Sequence, residues 1–161
     1  MTLYNVLGFV SFLLAIAAAS APGLQGRAQG WYAHLEKPPW TPPDWLFAPA
    51  WKSLYFMIAV AGYMMWTSGR EEGAILPLVA FALQLLLSPL WFLLFFRFRL
   101  PGYAFANIVL LWLSSLATVV LFFPVAPVAA WLVLPFLLWV SFVAGLNYSV
   151  WQLNAGAKVG R

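Results

Sequence analysis

The 161-residue chain carries ten tryptophans, one histidine and no cysteine, and this narrows the chemistry open to it. Without cysteine there are no disulfides and no thiolate ligands. No carboxylate falls within an apolar helix core, so the usual zinc, haem-thiolate and acid–base pair arrangements are excluded. His34 could ligate iron through its imidazole, although a lone solvated loop histidine more often has no such role, and no metal site is expected. No phosphate-binding loop or nucleotide fingerprint occurs. The side chains left are the indoles, electron-rich rings able to give up an electron. Their densest run is WYAHLEKPPWTPPDW, residues 31–45, with three tryptophans and four prolines.

Each proline in that run fixes its own φ and biases the residue before it toward extended backbone. KPPWTPPDW is therefore expected to be a semi-rigid extended strap, with Asp44 capping the helix that follows. Trp31, Tyr32, Trp40 and Trp45 could belong to an interfacial aromatic belt. A belt does not require a stiff proline frame, whereas a lid held over a cavity between helices does.

The elements beneath the strap must be membrane helices. The composition is 65% hydrophobic and 7% charged, far from the roughly one quarter charged residues of a soluble domain. Five apolar runs are long enough to cross a bilayer as helices: 3–24, 45–67, 74–97, 100–123 and 127–152. The first contains AAASA, which resembles a signal-peptide cleavage site, but no Lys or Arg precedes it, so a span is expected. Pro49, Pro89 and Pro135 fall inside runs and are expected to mark kinks. There is no internal repeat, and 25–44 is the one long connection in a single domain spanning 1–161. Arg27, Lys37, Arg97, Arg99, Lys158 and Arg161 fall on one side, against Arg70 on the other, which puts the first loop and the C-terminus in the cytoplasm. Lys52 lies about 10 Å into its helix and can snorkel to that same side. A net charge of +4 is too small and scattered to suggest nucleic acid.

Helical spacing places several of these residues on shared faces. Trp51 and Tyr55 are one turn apart. Gln84, Ser88, Trp91 and Phe95 form a stripe on the third run, and Trp139, Val143, Leu146, Asn147 and Val150 one on the fifth. Tyr103, Asn107 and Ser114 add polar groups from the fourth run. The amides and hydroxyls could simply bond helix to helix. Polar groups among aromatic walls also describe a mostly apolar pocket suited to a large, flat ligand.

These motifs resemble the TspO/MBR family, the tryptophan-rich sensory and translocator proteins. The resemblance rests on WYAHLEKPPWTPPDW, on PAWKSLY at 49–55, on QLLLSPLW at 84–91 with the following Phe95 and Phe96, and on LPFLLW at 134–139 and LNYSVWQLN at 146–154. It covers nearly the whole chain. It implies an all-α bundle of five membrane helices, generally a homodimer, whose first loop lids a ligand cavity. It also implies binding of porphyrin or haem as ligand, with no cofactor required, and of benzodiazepine-like drugs in some members. By resemblance, Trp31, Trp40 and Trp45 match the lid, and Trp91, Val143 and Leu146 match cavity positions. Trp51 and Trp139 match the pair implicated in light-dependent porphyrin breakdown.

Two departures matter. Ser88 stands where the family usually has Asn, which shortens or removes a bond to a ligand carbonyl. Gln152 replaces the basic residue of the cholesterol-type pattern that follows Leu146 and Tyr148, so weak or no cholesterol binding is expected. The expected function is a membrane receptor or sensor for tetrapyrroles, with Tyr32, Tyr55 and Ser88 joining the tryptophans around the ligand. An enzyme degrading porphyrin oxidatively through Trp51 and Trp139 is the alternative. A transporter is a third, less natural with five spans and no repeat. The short tail and the missing basic residue suggest a bacterial membrane.

Overall fold

The computed structural model describes residues 29–68 and 75–156. The expected first span at 3–24 lies outside them, as do Arg27, Arg70, Lys158 and Arg161. Five α-helices occur among the described residues: α1 (Gln29–Ala33), α2 (Asp44–Ser68), α3 (Ile75–Phe92), α4 (Pro101–Phe122) and α5 (Pro127–Ala155). A π-helical turn, Leu93–Arg97, continues α3. No strand occurs among the described residues. The chain is an all-α membrane bundle, as expected, with the long helices matching the second to fifth runs within a few residues. α1 is a single turn inside the first loop that the composition did not indicate.

α3, α4 and α5 are each long and apolar enough to cross a membrane. α2 is as long, but its first half carries Lys52 and is diluted by aromatic and polar residues. The apolar outward faces follow from lipid as solvent. Leu76, Val79, Leu83, Leu86 and Leu90 are exposed at helical spacing along α3, and Leu110, Leu113 and Val120 along α4. Inside, α4 packs along both α3 and α5, and α2 packs mainly on α5. Ala104, Ala129 and Ala130 are completely buried and let the backbones approach. Ser114, Ser115 and Thr118 return their hydroxyls to carbonyls three or four residues back in α4, which satisfies them without a partner helix.

The ends of the helices explain the short connections. Pro101 and Pro127 open α4 and α5, where the missing N–H is not needed and the fixed φ suits a helix start. The π turn closes α3 with Phe98 N–H donating to the Leu93 carbonyl at 2.8 Å and Leu100 N–H to that of Leu94 at 2.9 Å. Arg99 adopts a left-handed φ of 57°, which reverses the chain within this turn.

Candidate ligand site beneath the first loop

The loop is extended only in part. Trp31 and Tyr32 sit on α1, and a tight turn follows, in which both the N–H and the hydroxyl of Thr41 donate to the Pro38 carbonyl at 3.0 and 2.7 Å. Ring contacts and one side-chain grip hold the loop to the bundle end, and Leu35 packs against the core beside them. Trp31 and Tyr32 meet Phe95 edge-on at 5.8 and 6.1 Å, and Tyr32 meets Phe96 at 5.7 Å. Trp40 meets Phe142 edge-on at 5.8 Å. Near the C-terminal end of α5, Asn154 accepts from Glu36 N–H at 3.1 Å and donates to the Glu36 carbonyl at 2.9 Å. These contacts bring the first loop, the π turn and the end of α5 to one end of the bundle. Lys37, Arg97 and Arg99 therefore cluster there.

Beneath the loop lies a cavity of about 40 Å³, lined by Tyr32, Phe47, Trp91, Phe95, Phe96, Val143, Leu146 and Asn147. From its Trp91 and Phe95 wall a column of rings runs back into the bundle. Tyr55 stacks on Trp51 at 5.5 Å, Trp51 on Trp91 at 6.0 Å and Trp91 on Phe95 at 5.5 Å. Trp139 stands edge-on to Trp51 at 6.4 Å and to Phe47 at 5.8 Å.

Hydrogen bonds set this wall. Trp91 Nε1 donates to Asn147 Oδ1 at 2.9 Å, while Asn147 Nδ2 donates to the Pro101 carbonyl at 2.9 Å, joining α3, α4 and α5. The Tyr55 and Ser88 hydroxyls share a bond of 2.6 Å, and Asn107 donates to the Leu87 carbonyl at 2.9 Å. Among the described residues, the Trp139 indole N–H and the whole carboxamide of Gln84, which is 0% exposed, are buried without a hydrogen-bond partner. Burial of the Tyr32 hydroxyl, and secondarily the charge of Asp44, push its pKa up to about 12, and the Lys37 ammonium sits 4.1 Å from the centre of its ring. Tyr32 is thus held as a neutral phenol at the rim.

The family model for TspO/MBR proteins matches residues 9–152. The chain belongs to the TspO/MBR family. It is similar to the Translocator protein of Sus scrofa, 42% identical over 144 residues that cover 88% of this chain and 85% of that one. It is 37% identical to Protein CrtK of Rhodobacter capsulatus over 93% of this chain and 94% of that one. The Tryptophan-rich protein TspO of Archaeoglobus fulgidus is 37% identical over 94% of this chain and 99% of its own. Likeness on this scale, together with three described helices apolar enough to span a bilayer, makes this a membrane protein of that family.

Within this TspO/MBR chain the expected site residues fall into three groups. Tyr32, Trp91, Val143 and Leu146 line the cavity directly. Trp51, Tyr55, Ser88 and Trp139 form the layer behind Trp91, and Trp31 and Trp40 hold the loop onto aromatic partners. Trp45 stands apart, 72% exposed at the start of α2. Tyr103 is also outside the site, 70% exposed on α4. His34 is exposed, and its Nδ1–H donates to the Gly30 carbonyl rather than facing the cavity. Among the described residues no group of three or more His, Cys, Asp or Glu side chains is placed to hold a metal ion.

The residues not assigned to the site beforehand are Phe47, Phe95, Phe96 and Asn147. Phe47 precedes Trp51 by one helical turn, a spacing that could have revealed it. Phe95 and Asn147 lay on the recognised stripes. Phe96 depends on the π turn, which widens the helix and lets two consecutive phenylalanines reach the cavity.

Proposed function

We propose that the protein is a membrane receptor or sensor that binds tetrapyrroles and similar flat hydrophobes beneath its first loop. The observation that supports this is the ring column Tyr55–Trp51–Trp91–Phe95, which ends in an aromatic cavity under a proline-framed loop. Parallel ring faces offer stacking area, and the few polar groups around them can fix orientation. A volume of about 40 Å³ holds little more than water, and ligand pockets usually measure roughly 300–1,000 Å³. Binding therefore requires the loop to lift and the rings to part. The Trp139 N–H, buried without an acceptor, would gain one from a ligand carbonyl or carboxylate.

The same reading takes no cofactor and makes porphyrin or haem the ligand, with benzodiazepine-like drugs as further candidates. Sterol binding is weak or absent, because Tyr148 and Gln152 lie exposed on α5 without the basic partner such a site needs. The functional unit is a homodimer in a bacterial membrane, its first loop and C-terminus cytoplasmic. The grouping of Lys37, Arg97 and Arg99 at one end supports that orientation.

A second reading, light-dependent oxidative breakdown of porphyrin, is favoured by one observation: Trp51 and Trp139 sit edge-to-face at 6.4 Å on the cavity's deep side. An excited porphyrin could take an electron from either indole, with dioxygen as terminal oxidant. Titration of the detergent-solubilised protein with protoporphyrin IX in the dark, followed by illumination, separates the two. Saturable quenching of tryptophan emission with a stable Soret band supports the receptor. Band loss that disappears in Trp51→Phe and Trp139→Phe, with binding retained, supports the enzyme. No saturable binding overturns both. Transport is tested separately, by porphyrin flux into sealed vesicles.

A further inference from the structure

Of the attachments that hold the loop closed, those of Trp31, Tyr32 and Trp40 are ring contacts and that of Leu35 is apolar packing. The one made by Asn154 differs in kind. Asn154 does not line the cavity beneath the loop; its carboxamide grasps both backbone polar groups of Glu36, 118 residues away in sequence. The pair of bonds resembles one rung of a sheet ladder. It falls in mid-loop, between Tyr32 at the cavity rim and the Pro38–Thr41 turn.

The Asn154 side chain is also held in place before it meets the loop. Its Nδ2 donates to the Val150 carbonyl at 2.8 Å, one turn back in α5. A helix side chain already oriented loses little freedom on grasping Glu36. Edge-on ring contacts tolerate sliding, whereas these bonds depend on angle and distance. Lifting the loop must break both of them together and leave the Glu36 N–H and carbonyl to find water.

We infer that Asn154 is the latch of the first loop, and that its grip on Glu36 sets how often the loop opens and so how fast ligand enters and leaves. The rate consequence rests on the ligand reading above; the latch itself does not. Because the same bonds re-form when the loop closes over ligand, losing them speeds admission and release alike and changes affinity little. A residue that contacted ligand would change affinity instead.

Glu36 supplies a direct readout: its side chain is exposed, but a glutamate-specific protease must bind the backbone as an extended strand and so needs it freed from Asn154 before cutting the bond to Lys37. The test uses the full-length protein in detergent, with Asn154→Leu and Asn154→Ala as variants and Gln152→Leu, an exposed neighbour, as control. Without any ligand, cleavage after Glu36 is expected to rise about tenfold in both Asn154 variants, as loss of two hydrogen bonds implies. The control should stay within twofold and the Tm of every variant near that of the parent. Unchanged cleavage in the Asn154 variants overturns the latch, as does an equal rise in Gln152→Leu or a rise tracking a fall in Tm. Stopped-flow quenching by protoporphyrin IX then reads both rates. A parallel rise in association and dissociation, with Kd within about threefold, supports the latch as the gate. Faster cleavage with unchanged porphyrin rates overturns the gating role. Faster cleavage in protein that never binds porphyrin supports the latch and overturns the tetrapyrrole reading alone.

Discussion

Trp91 and Asn147 are joined by a 2.9 Å hydrogen bond from indole to carboxamide, and this bond aligns the ring column with the cavity mouth. Asn147 reaches Pro101 with its other end, so one side chain sets the spacing of three helices at the level of the loop.

Replacing Asn147 by Leu should therefore be costly. It leaves the buried Trp91 N–H without an acceptor, a loss of about 1–3 kcal/mol for an unsatisfied buried group. A lower Tm and a changed near-ultraviolet circular dichroism signal of the tryptophans are expected. An unaltered tryptophan signal would mean that packing alone orients Trp91.

Gln84 predicts the opposite sign. Its carboxamide is completely buried and has no hydrogen-bond partner among the described residues, so the native state carries its desolvation penalty. Gln84→Leu, close in volume, should raise stability by roughly 1–3 kcal/mol. Thermal unfolding in detergent checks it, and a fall in Tm would mean that the folded protein gives the Gln84 carboxamide a hydrogen-bond partner.

Tyr32 gives a pH dependence. Its folded pKa of about 12 lies above the ordinary value of 10.0, so the closed loop binds more protons than the open chain between those values. Stability from this group is complete below pH 10 and declines as pH rises toward 12. Loop opening, followed by cleavage after Glu36, should accelerate over that window in the parent and less so in Tyr32→Phe. Identical profiles would exclude Tyr32 as the responsible group.

Gly102 is packed under the Trp151 ring, where an added Cβ would lie 3.1 Å from the nearest ring atom. Gly102→Val should displace Trp151 and destabilise by about 1–3 kcal/mol through overpacking. A shift in tryptophan emission should accompany the lower Tm; Trp151→Leu in the same background should restore much of the loss.

The membrane class, the four described long helices and most wall residues were legible in the sequence because they depend on local properties. Apolar runs of 20 or so residues in lipid have no stable alternative to helix, and helical spacing puts Gln84, Ser88, Trp91 and Phe95 on one face whatever surrounds them. The same spacing could not tell that Gln84 would lack a partner while Ser88 found Tyr55 and Asn147 found Trp91. Nor did it show that Trp45 would stand free of the cavity while Phe47, two residues later, lined it.

By itself the sequence determined that this is a helical membrane protein with a stiff aromatic strap, because composition, proline geometry and helical period act within a few residues of each other. Only the tertiary structure decided where the strap lies, that a π turn brings Phe95 and Phe96 to it, and that Asn154 fastens it at Glu36. Those outcomes depend on groups far apart in the chain arriving at one end of the bundle, and hydrogen-bond pairing across that distance is settled by helix packing rather than by any local preference.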